Sequence, residues 1–131
     1  MTPSTPASPV SKKTYWISIV LSVLPCLLLL FSAAMKLLHP PQLDEGFAHL
    51  QLPISHALGL GLLELACAII YLIPRTAILG AILVTGYLGG AIATHVRIGE
   101  TGYAHLVLGV AIWGGLYLRD PRLRALIPFV R

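Results

Sequence analysis

The residue of this sequence best placed to do chemistry is Glu64. It stands in GLGLLELACAII, deep inside an apolar run, where an ionised carboxylate is costly unless it is paired. Its expected partner is Lys36, in FSAAMKLL at the end of the preceding run. If both runs are helices joined by one connection, they lie antiparallel. Counted from Ser55, Glu64 is then nine residues in, about 13 Å along an axis that rises about 1.5 Å per residue. Helical side chains lean toward their own N-terminus, so Glu64 leans outward while Lys36 leans inward. His95 and Arg97 close the next run in IATHVRIG, and Thr94 and Tyr87 offer hydroxyls nearby.

A lysine–carboxylate pair can hold an anionic or quinone-like head group, and a histidine beside a carboxylate can shuttle protons near neutral pH. Lys36, Glu64, His95, Arg97, Tyr87 and Thr94 therefore form the expected ligand-binding set. Glu64 and His95 are the candidate proton relay, with Arg97 at the mouth. A competing reading of the same residues is architectural. Lys36, His39 and Arg97 then snorkel to an interface, and Lys36–Glu64 locks two helices in one arrangement. No metal site is expected, because no H-x-x-x-H or H-x-x-E spacing is present. His49, His56 and His105 read as interfacial. Cys26 and Cys67 lie in apolar runs and form no C-x-x-C pair, which argues against disulfide exchange within this chain.

The elements that must position these residues follow from composition. Of 131 residues, 56% are hydrophobic and only 11% charged, and the mean hydropathy is +0.84. A soluble domain carries about 25% charged residues, and so short a chain cannot hide this much apolar surface. An ordinary soluble enzyme, a disordered chain and a nucleic-acid-binding module are excluded; the excess faces lipid. Backbone polar groups in lipid must be satisfied within their own segment, so the spans are helices.

The sequence predicts an all-α, polytopic membrane protein with four transmembrane helices in an antiparallel bundle, at about 15–37, 55–73, 76–96 and 103–118. The last is short for a hydrocarbon core about 30 Å thick. Residues 1–14 read as a disordered cytoplasmic tail, rich in Pro, Ser and Thr, and 119–131 as a basic cytoplasmic tail. The Pro-containing loop after His39 carries Phe47, Leu50 and Leu52 and is expected on the membrane surface. The small residues Ser32-Ala33-Ala34 resemble a signal-peptide cleavage site, but the run before them is too long, and cleavage would discard a needed helix.

Lys12, Lys13, Arg75, Arg119, Arg122, Arg124 and Arg131 fall on one side of such a bundle, and Lys36 and Arg97 on the other. Seven against two predicts both termini in the cytoplasm. Tyr15, Trp16, Trp113 and Tyr117 fit an inner aromatic belt. Glycines crowd the third and fourth runs. Gly86 and Gly90 stand in a G-x-x-x-G relation, which serves close packing within the bundle or a seam with a second copy or another membrane protein.

Taken in order, SAAMKL, the Pro-containing loop, Gly61-x-x-Glu64-Leu65, Pro74-Arg75 and a Gly-rich run ending in His95 resemble the DoxX-like family of small bacterial membrane proteins, over roughly residues 28–120. The resemblance implies four transmembrane helices in the bacterial inner membrane. The family name derives from a subunit associated with a thiosulfate:quinone oxidoreductase. Some relatives are linked to redox or detoxification partners, and a distant animal branch acts in receptor assembly. Two functions are therefore expected in competition. One is an accessory subunit or assembly partner of another membrane protein. The other is a redox-linked subunit binding a quinone or similar lipophilic ligand at the Lys/Glu/His cluster. An ion or solute carrier is a third, with few helices for the task.

Overall fold

The computed structural model describes residues 11–130. Residues 1–10, most of the expected N-terminal tail, lie outside it. Among the described residues there are six helices and no strand: α1 (Lys12–Leu38), α2 (Pro41–His49), α3 (Ala57–Leu72), α4 (Ala77–Arg97), α5 (Tyr103–Arg119) and α6 (Pro121–Leu126). A 3₁₀ turn leads into α3 and another into α4. Ser11 caps α1 by accepting the Thr14 N–H at 3.2 Å, so the helix starts before the expected residue 15. Pro25 sits inside α1, as is tolerated in apolar spans. The prolines at 40 and 41 end one helix and open the next, since Pro fits the first turn but not the interior. The 39–54 loop thus folds partly into α2.

The four long helices form a ring. α1 packs on α3 and α5, and α4 packs on the same two. Each short connection turns the chain back on itself. In the interior, Tyr71, Ala68, Ala81, Val84, Ile112 and Leu116 are almost fully buried. Large apolar side chains such as Leu24, Leu27, Phe31, Ile82 and Val110 are exposed instead, which is sensible only against lipid. α1, the run Ile54–Leu72 and the run Pro74–Arg97 are long and apolar enough to cross a membrane. α5 falls short: its 17 residues span about 25 Å.

Close packing between helices rests on Gly80 and Gly115 of the glycine-rich runs, as expected, and on Gly61, but not on the Gly86/Gly90 pair. A Cβ on Gly61 would stand 2.9 Å from the Lys36 Cβ, and Gly80 and Gly115 press on Tyr71 and Ser22. Gly86, Gly89 and Gly90 have nothing within 4 Å, so among the described residues the G-x-x-x-G face packs on no other helix, and Gly86 and Gly90 instead line a cavity beside Glu64. Both are exposed.

At the end of the bundle where α1 begins, a second polar group ties three helices. The Tyr71 hydroxyl lies 2.9 Å from Ser22 Oγ and 2.8 Å from the Ile112 carbonyl. Arg119 Nη1 donates to Ser22 Oγ at 2.6 Å, and its guanidinium lies 5.6 Å from the centre of the Tyr71 ring. Asp120 ends α5 and caps α6, accepting the Arg122 N–H at 2.9 Å. The Arg122 side chain, hydrogen-bonded to it, holds the Asp120 carboxyl below the usual carboxylate range. α6 in turn buries Leu123 in the expected tail.

Candidate functional site

α1 and α3 bring Lys36 and Glu64 together. Lys36 Nζ lies 2.8 Å from Glu64 Oε2. Glu64 is 2% exposed, and the Lys36 side chain 14%. The approach is close because Gly61, one helical turn before Glu64, lets Lys36 and Ala33 pass against the α3 backbone. Two further donors reach the same oxygen: Ser32 Oγ at 3.2 Å and the Tyr87 hydroxyl of α4 at 3.0 Å. Lys36 Nζ also donates to Ser32 Oγ at 2.6 Å. Every protein donor found on Glu64 goes to Oε2. Oε1 keeps its acceptor capacity.

The carboxylate borders a cavity of about 460 Å³ whose polar lining includes Ser32, Lys36, Tyr87, Thr94, His95 and His105. Its remaining walls are mostly apolar, including Leu29, Leu63 and Leu88, and Phe47, Leu50 and Leu52 come from the α2 segment. This is within the ordinary size of ligand pockets, about 300–1,000 Å³. An adjoining apolar groove of about 600 Å³ runs between α4 and α5, past Leu106, Val110 and Trp113. It shares Leu88 and His105 with the cavity.

His95 lies in the cavity wall but is not bonded to Glu64. Its Nδ1 is 2.7 Å from the Ala91 carbonyl, which can only accept, so Nδ1 carries a proton. Nε2 is then an acceptor in the neutral ring and a donor in the cation. Nε2 is 4.0 Å from Glu100 Oε2, and the His105 ring is 4.7 Å away, centre to centre. Thr94 spends its hydroxyl on the Gly90 carbonyl of its own helix, at 2.8 Å. Arg97 donates to the Leu50 carbonyl at 2.6 Å. It thereby straps the α2 segment over the cavity, as does the contact of His49 with Glu100.

Of the six expected residues, then, Lys36, Glu64 and Tyr87 are joined directly. Thr94 and His95 share their cavity, and Arg97 braces its cover. Ser32 and His105 were not expected. Ser32 sits one turn before Lys36, a spacing that puts both on one helix face; that offset was the available signal. His105 had none, being one histidine near a helix start among several.

The model of the DoxX-like family matches residues 20–116. The match covers the bundle from α1 to α5, and the chain belongs to that family. No curated protein and no solved structure matches it.

Proposed function

We propose that this DoxX-like protein is a four-span protein of a bacterial inner membrane, with both termini cytoplasmic, and that its outer-half cavity binds a quinone or similar lipophilic ligand in the service of a redox partner. One observation carries the reading: a buried carboxylate with three donors on Oε2 and, among the described residues, none on Oε1, set in a cavity with mostly apolar walls. A purely structural lock has no need of that space.

The donor set suits a head group with oxygens at opposite edges. Lys36 Nζ has three protons and uses two, on Ser32 and Glu64, leaving one for a carbonyl oxygen. Glu64 Oε1 accepts an O–H. His95 Nε2 accepts a proton from a hydroxylated ring when neutral and returns it when charged. The groove between α4 and α5 gives a tail an apolar path beside the bilayer.

The test is mass spectrometry of small molecules co-purified in mild detergent, wild type beside Glu64→Gln. A quinone-class molecule retained by the wild type and lost from the variant is the expected result. Bulk lipid alone in both samples overturns the reading.

A second reading, an accessory or assembly subunit, draws support from Gly86 and Gly90 of α4, which are exposed, have nothing within 4 Å and border the same cavity. Small residues there allow a partner helix, or a second copy of this chain, to approach closely. Under this reading Gly86→Leu removes a co-purifying partner and leaves the bundle folded.

A further inference from the structure

We infer that the opposite end of the bundle is a lipid site, at which Arg119 grips the phosphate of an anionic glycerophospholipid. This does not depend on the Glu64 cavity, which lies at the other end.

The charges there do not balance. A cavity of about 530 Å³ lies between the start of α1, the α3–α4 turn and the α5–α6 corner, with Tyr15, Ser22, Arg119, Asp120 and Arg122 among its lining. Asp120 is the only acid in that lining, and Arg122 takes up both its oxygens: Nε at 3.2 Å from Oδ1 and Nη2 at 2.9 Å from Oδ2. Arg119 has no ion-pair partner among the described residues. Its one acceptor among the described residues is Ser22 Oγ, and Ser22 is 2% exposed. The Tyr71 ring beneath it is fully buried. A guanidinium has five N–H donors in a planar fork, so four remain for the cavity. The fork matches two oxygens of a phosphate in one plane.

Helical geometry explains the position. Arg119 closes α5, and its side chain leans back toward the helix N-terminus, into the bundle rather than out to water. A cation drawn into a low-dielectric boundary without an anion is unfavourable. Lys36 at the other end has its carboxylate; Arg119 has none.

The walls indicate a lipid rather than a free anion. Ile19, Val23 and Leu72 complete the cavity, and Val23 and Leu72 are exposed on the bilayer-facing surface. An acyl chain continues along them from a phosphate held at Arg119. Lys12, Lys13 and Arg75 crown the same end and favour anionic lipid in general, but they do not line the cavity.

The experiment is a lipid titration of the full chain in non-ionic detergent at about 0.15 M salt, read by native mass spectrometry. The probes are phosphatidylglycerol, phosphatidylethanolamine and inorganic phosphate. The wild type is expected to bind phosphatidylglycerol about tenfold more tightly than phosphatidylethanolamine, equivalent to ~1.4 kcal/mol. Arg119→Gln brings the two lipids within about twofold of each other, while Lys13→Gln, which removes a surface charge, retains at least about fivefold selectivity. Equal loss in Lys13→Gln reduces the effect to surface charge and overturns the site. Displacement of lipid by millimolar inorganic phosphate overturns the choice of a lipid. Should Arg119→Gln not fold, the wild type decides alone: equal affinity for the two lipids overturns the proposal.

Discussion

The Lys36–Glu64 contact is expected to show strong energetic coupling. The perturbation is a double-mutant cycle of Lys36→Met, Glu64→Gln and both together, in ligand-free micelles. Removing one partner of a buried ion pair strands the other charge and costs about 3–5 kcal/mol. Here the carboxylate is 2% exposed and keeps Ser32 and Tyr87 as donors after Lys36→Met, which places that change near the low end, about 3 kcal/mol. Glu64→Gln costs less, about 2 kcal/mol, because Lys36 is 14% exposed and can snorkel. The amide oxygen also still accepts from Tyr87. With both charges gone neither is stranded, and the double variant costs only about 2 kcal/mol, so the coupling is about 3 kcal/mol. Uncharged hydrogen bonds between membrane helices average only about 0.6 kcal/mol in such cycles. Reversible unfolding in mixed micelles, followed by circular dichroism, measures all four corners. Additive costs, within about 0.5 kcal/mol, would refute the reasoning that these charges depend on each other for burial.

Gly61 and Gly59 make a paired test of the α1–α3 contact. Gly61→Ala puts a Cβ 2.9 Å from the Lys36 Cβ and 3.3 Å from the Ala33 carbonyl, and is expected to cost about 1–3 kcal/mol as overpacking does. Gly59→Ala meets nothing within 4 Å and is expected to gain about 0.5–1 kcal/mol of helix propensity; equal effects in the same unfolding assay would contradict the packing. Asp120 supplies a pH test. Its folded carboxyl is held below its unfolded value by the Arg122 side chain, so its contribution is complete above the unfolded value, about 3.9. It is lost as pH falls through the lower folded value. Protection of the 121–126 amides against hydrogen exchange should decline in acid, and Asp120→Asn should remove that dependence.

The features legible in the sequence were those that cost energy in lipid. Glu64 and Lys36 interrupt apolar runs, and the backward lean of helical side chains was enough to join them. Tyr87 entered the set only as a hydroxyl near His95 in the same run. The orientation of small residues was not legible. In soluble helices a polar face marks the outside, but here lipid and core are both apolar, so nothing in the pattern separates Gly80, which packs on Tyr71, from Gly86, which packs on nothing. Ser32 was hidden among the small residues of SAA. Arg119 was counted as a topology charge, and its partners Ser22 and Tyr71 lie 97 and 48 positions away in the chain, connected only once α1, α3 and α5 meet. Arg97 was expected to face a ligand; a strap onto the Leu50 carbonyl depends on how the α2 segment folds, which loop composition does not specify.

The neutrality of the Lys36–Glu64 unit has an electrical consequence if the site has the outward orientation proposed above. At about 13 Å from the outer helix end, in a core about 30 Å thick, a single charge at this depth has crossed some two-fifths of the membrane field. At 100 mV that amounts to roughly 1 kcal/mol. The pair itself feels no net pull, because its two charges sit at one depth. A neutral guest therefore enters and leaves with the same affinity whether or not the membrane is energised. An anionic guest arriving from outside would work against the inside-negative potential and bind about fivefold more weakly in a respiring cell than in detergent. Comparing occupancy in vesicles with and without an imposed potential thus reports the charge of the guest before its structure is known.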